Sequence, residues 1–456
     1  MTGDLGDAQT SGTGVGHEVE QRSSSRDGLN FITFILLGHV RHRPTQYGVA
    51  DIFRKYQLDR TLNTCLYDVI NTDTRFVVPN KQLSIGERSS AVGRGSASVR
   101  ARNDDRPLVL TTPGSVNWIT GGLSDVIDVT SSNDPVWVIE TSKSRALITS
   151  EIEAPRLRGD FDLDALGWEL ITVPWYEPDA PVVAACRFAG RPLREFISDR
   201  EGLGASVRED IVRERMVLTA PERRELQLLG ALAAHALESS LDEWRPGTTS
   251  DFEIAARVSE QLERYGAKAV CLIVGGDHRL REYRHPLAIG DALSTAVMAV
   301  VVARRGGLHV AATRTAVTSA NDPILSLAKE VERVHQEVLR ATAPGSTWGD
   351  VTEALAKGYE NIDQPGAWRE HFQGGPIAYE QREFELAPGQ HDSPYWTSAC
   401  EVGTAVAWNP SLRGGAKIEE TYLLGADGPE LVTTCQGWDL TPPVAGPQHS
   451  VVKIVQ

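Results

Sequence analysis

Trp368-Arg369-Glu370-His371-Phe372-Gln373-Gly374-Gly375 is the stretch of this sequence that most directly predicts its fold. Tyr379, Arg382 and Glu383 follow it, and a second polar stretch begins at Trp408-Asn409-Pro410 and continues to Lys417-Ile418-Glu419-Glu420-Thr421. Buried polar groups are costly unless they have partners. So dense a set of polar side chains therefore predicts a site kept for a ligand, and a structural polar network is the alternative.

The order and spacing of these two stretches resemble the carboxy-terminal half of the creatinase/aminopeptidase P superfamily, whose members share the pita-bread fold. A second resemblance lies in Pro113-Gly114-Ser115-Val116-Asn117-Trp118-Ile119-Thr120-Gly121, which is similar to the "asparagine, aromatic, then Thr-Gly" segment of creatinase-type amino-terminal domains. Together the resemblances cover about residues 107–440. They imply a creatinase-like α/β domain followed by a pita-bread domain of the α+β class.

An internal repeat supports the pita-bread domain independently of these motifs. Long amphipathic helices are predicted at 221–241 and about 323–342, with apolar residues at helical spacing in the first. A Pro-Gly turn follows each one, and each turn opens a shorter helix, ending near Tyr265 and Tyr359 respectively. Two copies of one unit, roughly a hundred residues apart, indicate a pseudo-symmetric domain.

The chain is therefore divided into five parts. Residues 1–29 are rich in Gly, Ser, Thr and Asp, which predicts a disordered tail. Residues 30–106 form an extension of unknown structure, 107–207 the creatinase-like domain, 208–440 the pita-bread domain and 441–456 a tail. In the creatinase-like domain, apolar runs predict strands at 108–110, 136–139, 146–148 and 170–173, with a helix at about 191–198.

Metal-binding members of the superfamily hold two divalent ions with two Asp, one His and two Glu. The resemblance places the second Asp, three residues before an Arg-Thr pair, at Ala311, and the first at Ala296 or Val300, depending on a gap. No acidic residue occurs between Asp291 and Asp322. Both Asp ligands are therefore missing.

The other ligand positions are also altered. The His falls on Gly375 and the first Glu on Asn409, while the last Glu remains as Glu419. One carboxylate and one amide cannot hold two divalent cations, which need several converging hard ligands. The sequence predicts a divergent subgroup with no metal and no cofactor. Lys417, Arg382 and Arg314 are the obvious replacements for the lost positive charge.

The resemblance also supplies candidate site residues. In creatinase and aminopeptidase P relatives a His lies about a dozen residues before a Gly-Asp pair; His278 fits that spacing best and His285 is its rival. Creatinase works without metal, and its equivalent His shuttles protons, a role that suits imidazole because its pKa lies near neutrality. The catalytic candidates are His278, His285, His371, Glu383 and Glu419. The substrate-binding candidates are Arg284, Arg314, Gln373, Tyr379, Arg382, Asn409 and Lys417.

Each candidate also has a structural interpretation. His278 is in a polar loop and is more simply a surface residue, His285 could fix a turn, and His371 could bind backbone. Arg314 and Arg382 could form ion pairs within the fold, although guanidinium groups also bind carboxylates well. Lys417 could simply neutralise Glu419.

Composition limits the function classes. The net charge of −15 argues against non-specific binding to nucleic acid or anionic membranes. No apolar segment approaches the roughly 20 residues of a membrane span. Five scattered cysteines without zinc-type spacing predict a reduced, cytoplasmic protein.

Two functions follow as expectations. The first is a metal-independent enzyme that hydrolyses a C–N bond in a small amino-acid-like, amide or guanidino substrate, with lyase or cyclase chemistry by the same proton shuttle as a variant. The second is a non-catalytic binding protein, because some pita-bread relatives act as scaffolds. The resemblance also implies a homodimer.

Overall fold

The computed structural model describes residues 81–124, 127–434, 438 and 452–455. The predicted disordered tail at 1–29 lies outside these residues, as do most of the 30–106 extension and most of the 441–456 tail. Among the helices that are described, none combines the length and the apolar character needed to cross a lipid bilayer.

The amino-terminal domain is a six-stranded mixed sheet with helices packed on it. The strand order is β4-β3-β2-β1-β5-β6. Its strands are β1 (Leu108–Leu110), β2 (Val136–Glu140), β3 (Arg145–Ser150), β4 (Glu169–Val173), β5 (Ile197–Ser198) and β6 (Ala205–Ser206). Its helices are α1 (Lys81–Arg102), α2 (Pro113–Thr120), α3 (Ala154–Asp160), α4 (Ala180–Ala189) and α5 (Arg208–Arg215). The predicted α/β class of this domain is confirmed.

The four predicted strands of this domain are confirmed, but the helix predicted at 191–198 is wrong. The helix lies earlier, at Ala180–Ala189, and ends at Gly190, whose left-handed φ of 62° is a common helix stop. Leu193–Glu195 form only a 3-10 turn, and β5 then pairs in parallel with β1. Ile197 and Ser198 therefore belong to the sheet, although the sequence pattern alone also fits a helix.

Helix α1 belongs to the predicted extension of unknown structure. Ile85 and Val99 on this helix are buried in the same hydrophobic core as Leu108 and Leu110 of β1. Burial of Ile85 and Val99 shows that this part of the predicted extension packs on the folded domains.

The pita-bread domain combines long helices with a curved, mainly antiparallel sheet. Its helices are α6 (Ala220–Asp242), α7 (Asp251–Glu263), α8 (Asp277–Glu282), α9 (Pro323–Ala341) and α10 (Trp348–Glu360), with a 3-10 turn at Ala367–Glu370. Its strands are β7 (Lys268–Gly276), β8 (Ala296–Arg305), β9 (Leu308–Val317), β10 (Gly374–Pro376), β11 (Ala405–Trp408), β12 (Ser411–Leu412), β13 (Ala416–Lys417), β14 (Glu420–Gly425), β15 (Gly428–Leu431) and β16 (Val452–Ile454).

The internal repeat is confirmed in the helices. Each of the long helices α6 and α9 leads to a shorter helix, α7 or α10, and both short helices have 13 residues. Each short helix also begins with a capping box, Ser250 with Glu253 and Thr347 with Asp350. In a capping box each of the two side chains accepts a hydrogen bond from a backbone amide at the start of the helix. The local sequence therefore fixes where α7 and α10 begin.

Two four-stranded sheets form the curved surface, with orders β16-β9-β8-β7 and β10-β11-β14-β15. They meet where the Thr313 amide of β9 donates to the Glu419 carbonyl oxygen (2.9 Å). Nearby, the Ala311 amide donates to Thr421 Oγ1 (2.8 Å). The loop before β14 is thereby held against the middle of β9.

The turn between β8 and β9 joins the two domains. Gly306 and Gly307 form this turn with φ values of 51° and 83°, and Arg88 of α1 donates to the Gly306 carbonyl oxygen at 2.7 Å. A Cβ atom on Gly307 would lie 2.4 Å from Asn117 Cβ, and one on Gly122 would lie 2.5 Å from the Gly306 oxygen. Glycine is required at this contact because any side chain would collide with the neighbouring domain.

Candidate functional site

A buried carboxylate, Glu419, is the centre of the site. It accepts hydrogen bonds from Thr313 Oγ1 and Asn409 Nδ2, both at 3.1 Å, and Lys417 Nζ lies 3.2 Å from its Oε2 atom. Burial alone would raise the pKa of Glu419, but the positive charges of Lys417 and Arg382 outweigh it and hold that pKa below its usual value. Glu419 is therefore ionised at neutral pH.

Strand geometry explains which residues reach this carboxylate. Successive side chains of a strand point to opposite faces, so Thr313 of β9 faces Glu419 while its neighbour Arg314 points away. Asn409 follows β11, and Lys417 ends β13. The two loops predicted from the family motif thus bring an amide, an ammonium and a carboxylate to the face of β9 that carries Thr313.

A pair of histidines lies near this cluster. The Nε2 atoms of His285 and His371 are 3.0 Å apart, although the residues are separated by 86 positions in the chain. His371 Nδ1 contacts the Phe372 carbonyl oxygen, which can only accept a hydrogen bond. Nδ1 of a neutral His371 therefore carries the proton, and His285 Nε2 donates to His371 Nε2.

The surroundings of both rings favour the neutral form. Burial lowers the pKa of His371 to about 3, with a further lowering from Lys417, while Glu419 acts in the opposite sense. Burial and Lys417 also lower the pKa of His285. Two neutral imidazoles in contact can pass a proton from one to the other, which is the property required of a proton shuttle.

A small open cleft of about 70 Å³ leads to Lys417. Its cationic lining residues are Arg281, Arg284, Arg413 and Lys417, and its acidic ones are Glu282 and Glu370. Arg281 is bound by both oxygens of Asp322 (3.1 and 2.8 Å). Arg284 and Arg413 share one carboxylate, that of Glu370, at 2.5 and 2.9 Å. Because two arginines share a single negative charge, the cleft carries net positive charge at Arg284 and Arg413.

Several predicted site residues lie elsewhere. Arg314 is buried between Glu238 (2.9 Å) and Glu420 (2.5 Å) and also donates to the Thr433 carbonyl oxygen, so the structure assigns it to an internal ion-pair cluster. His278 is exposed on α8 and makes no hydrogen bond or ion pair with the described residues. The structure does not bring either residue to the Glu419 cluster.

Glu383 and Tyr379 face the amino-terminal domain. Glu383 is ion-paired at 2.7 Å with the buried Arg215 of α5. The hydroxyl of Tyr379 donates to Glu222 at 2.5 Å and accepts from Arg88 at 3.0 Å. Glu383, a catalytic candidate in the sequence, has a structural role here, because Arg215 and the amides of residues 379 and 380 already occupy its oxygens.

Two further predicted residues make local contacts. Gln373 accepts from the Tyr359 hydroxyl (2.9 Å) and donates to the carbonyl oxygens of Trp368 and His371, so it shapes the loop that carries His371. Arg382 is ion-paired with Glu385 at 2.9 Å, yet its charge still lowers the pKa of Glu419. It lies close to the site without a direct contact to the carboxylate.

Sequence reasoning missed three residues of the site: Thr313, Glu370 and Arg413. The alternation of β9 would have identified Thr313, since it stands two positions from Ala311 on the same face. Glu370 and Arg413 have no comparable pattern, because their relation to Arg284 depends on two loops meeting in space.

Part of the chain matches a known protein family. The sequence profile of metallopeptidase family M24 matches residues 224–426, which is the part of the chain that carries the helical repeat and the Glu419 cluster. The chain thus contains an M24 domain at these residues, which confirms the expected resemblance to the creatinase/aminopeptidase P superfamily. No sequence among the curated proteins matches it.

Solved structures share the fold over almost their whole length. The dipeptidase PepE from Mycobacterium ulcerans is 16% identical with a TM-score of 0.60, covering 80% of this chain and 99% of that one. The X-Pro aminopeptidase from Thermotoga maritima MSB8 is 15% identical (TM-score 0.59; 78% and 100% covered). The N-terminal domain of the FACT complex subunit SPT16 from Cicer arietinum is 14% identical (TM-score 0.56; 77% and 96% covered). At these identities the likeness establishes the fold alone.

The ligand positions of this M24 domain do not fit a pair of divalent ions. The residues that the resemblance places at these positions, Ala296 or Val300, Ala311 and Gly375, offer no side-chain donor. No group of three or more His, Cys, Asp or Glu suited to a metal occurs in the part of the chain that the structure describes. Lys417 Nζ already provides a positive charge 3.2 Å from Glu419. The carboxylate of Glu419 lies beside the ammonium group of Lys417, and this pair does not fit a divalent ion.

Proposed function

We propose that this chain is a metal-independent pita-bread enzyme that hydrolyses a C–N bond in a small amino-acid-like, amide or guanidino substrate. The contact between His285 and His371 carries this proposal. The pair lies beside a cleft with excess positive charge, and Lys417 and Glu419 act on both rings. This arrangement combines a proton relay with groups able to hold an anionic substrate.

The proton relay follows from the tautomers. With its proton on Nε2, His285 keeps a lone pair on Nδ1 and can accept a proton from water there. It then passes its Nε2 proton to His371 Nε2, and Glu419 offsets part of the cost that burial and Lys417 impose on this transient imidazolium. The water oxygen bonds to the substrate carbon, the C–N bond breaks, and the relay returns the proton to the leaving nitrogen.

One further observation supports a nitrogen-bearing substrate. Asn409 Nδ2 donates to Glu419, but the buried Asn409 Oδ1 has no hydrogen-bond partner among the described residues. A buried acceptor without a partner is costly, and an N–H group of the substrate would satisfy it. The same relay acting without water would give lyase or cyclase chemistry, the variant of this proposal.

Turnover by matched histidine variants tests the proposal. Purified chain is assayed for release of ammonia, amine or urea from creatine, N-carbamoyl amino acids and amino-acid amides. His285→Asn and His371→Asn are expected to lower kcat at least about a hundredfold, the usual contribution of a general acid or base. His278→Asn, with an exposed imidazole outside the site, is the control. Equal rates in all three variants would contradict the relay.

A non-catalytic binding protein is the second candidate. Lys417 and Arg382 are both ion-paired inside the chain, with Glu419 and Glu385, so the site is partly filled by its own charges. The structural likeness extends to a domain of a FACT complex subunit. This candidate is favoured if no probe is turned over and the histidine variants bind every ligand as the parent does.

We also propose a cytoplasmic homodimer as the working form, with no nucleic acid or membrane partner. Light scattering on the full chain tests the oligomeric state, since a dimer has twice the 49.7 kDa mass of the chain. A mass that stays at one chain over the whole concentration range would remove the dimer from the proposal.

A further inference from the structure

Two dipeptides face each other at the cleft. Arg284-His285 lies in the loop after α8, and Glu370-His371 lies at the end of the 3-10 turn. Arg284 Nη2 is 2.5 Å from Glu370, and the adjacent histidines are in contact at 3.0 Å. The carboxylate of Glu370 is therefore held one residue away from the ring that we assign to the proton relay.

The geometry around Glu370 is that of a carboxylate-binding site. One of its oxygens accepts hydrogen bonds from Arg284 Nη2 and Arg413 Nε, while Arg284 Nη1 is steadied by Ser411 Oγ at 3.3 Å. Two guanidinium groups converging on one carboxylate are an arrangement that proteins use to bind carboxylate ligands. Here the chain itself supplies the carboxylate.

The contact is also one that a ligand can replace. The side chain of Glu370 is 35% exposed, and those of its partners Arg413 and Arg284 are 77% and 19% exposed. Exposed ion pairs contribute little to stability, typically up to about 1 kcal/mol. The other cations of the cleft are less available, because Arg281 is bound by Asp322 and Lys417 by Glu419.

We propose that Arg284 and Arg413 form the binding site for the carboxylate of a small ligand, and that Glu370 occupies this site until the ligand displaces it. The inference deepens the proposed function, because it assigns the substrate class as a carboxylic acid whose other end reaches the histidine pair. Release of Glu370 would also free the segment that carries His371, so binding and the position of the relay are coupled.

Carboxylate binding by charge-matched variants of the full chain tests this inference. Titration calorimetry measures malonate as the probe and malonamide as its neutral counterpart. Glu370→Gln removes the internal competitor and is expected to bind malonate about tenfold more tightly than the parent, the value of one charge-assisted hydrogen bond. Arg413→Gln and Arg284→Gln are expected to weaken malonate binding about tenfold by the same reasoning.

Glu282→Gln is the matched control. Glu282 lines the same cleft and changes the net charge equally, but it makes no ion pair with the described residues. It is expected to bind malonate within about twofold of the parent, because Glu282 is not ion-paired with Arg284 or Arg413 and salt largely screens exposed charges that are not in contact. Equal tightening by Glu282→Gln and Glu370→Gln would show only a general charge effect and would overturn the inference. Equal binding of malonamide, or tighter binding of inorganic phosphate than of malonate, would overturn the carboxylate assignment.

The outcome is independent of turnover. Malonate binding with the expected variant pattern, in a chain that hydrolyses none of the probes, would leave the carboxylate site standing and remove the proposed hydrolase. Hydrolysis of a probe without tightened malonate binding in Glu370→Gln would support the proposed hydrolase and overturn the carboxylate site. Circular dichroism of every variant confirms that altered binding does not come from loss of fold.

Discussion

Lys417 Nζ lies 3.2 Å from Glu419 Oε2, and both side chains are about 95% buried or more. Of the positions that the resemblance assigns to metal ligands, Glu419 alone is a carboxylate, and its partner here is the ammonium group of Lys417. Breaking such a buried pair leaves an uncompensated charge, and the cost of that charge is large.

Lys417→Met is expected to destabilise the chain by about 3–5 kcal/mol at pH 7. The pKa of Glu419 is lowered in the folded parent, so its charged form contributes stability above its unfolded pKa, and that stability is lost as the pH falls through the folded pKa. Without Lys417 that pKa rises, and the penalty should shrink towards pH 4. Urea unfolding at several pH values measures this. Lys417→Met/Glu419→Gln is the control and should recover part of the loss; no recovery would show that the charge is not the cause.

The pH dependence of stability should report the neutral His371. Its pKa is lowered to about 3 in the folded chain, against about 6.5 when unfolded. Between these values the unfolded state binds one more proton, so stability falls as the pH drops from 6.5 towards 3, with a slope of up to about 1.4 kcal/mol per pH unit. His371→Gln is expected to flatten this slope, whereas His278→Gln should not. An unchanged slope in His371→Gln would assign the dependence to other groups.

Chelation is expected to leave stability and any turnover unchanged. The donor set of Asn409 and Glu419 beside Lys417 offers too few ligands for a divalent ion. Elemental analysis of the purified chain, and its thermal midpoint before and after EDTA, measure this directly. Stoichiometric zinc, manganese or iron with chelator-sensitive turnover would mean that the ligand positions have been misassigned and would restore a peptidase interpretation.

Gly307→Ala is expected to lower the free energy of unfolding by more than the same replacement at a glycine that has a comparable φ but open space around it. Gly307 and Gly345 have φ values of 83° and 88°, but a Cβ atom would collide with Asn117 only at Gly307. Gly345→Ala is therefore the control for backbone strain alone, about 1–2 kcal/mol. Gly307→Ala should exceed it by roughly 1–3 kcal/mol, the usual cost of overpacking. Equal losses of unfolding free energy in the two variants would show that the turn yields without cost.

The features that were predicted most accurately from the sequence are those that depend on local sequence pattern. Helix α6 was expected at 221–241 and lies at Ala220–Asp242, because a capping box and helical spacing act within a few residues. Asn409, Lys417 and Glu419 were predicted together because they share one motif, and the structure confirms that they are in contact.

The sequence could not predict partners that only the tertiary fold brings together. Glu383 was a candidate site residue on the family resemblance, yet its partner Arg215 is 168 positions away. Arg314 shares a motif with the family, but strand alternation turns its side chain towards Glu238 and Glu420. For the same reason the choice between His278 and His285 stayed open in the sequence, whereas the structure brings only His285 to His371.

The glycine turn between β8 and β9 has a consequence for how this chain can be engineered. Arg88 donates a hydrogen bond to the turn, and the turn leaves no room for a Cβ atom where Gly307 faces Asn117 or where Gly122 faces Gly306. The amino-terminal domain therefore cannot be exchanged freely. A chimera that takes this domain from another superfamily member would need matching surfaces at these three positions. Recombination points for directed evolution should therefore be placed inside the domains and away from this joint.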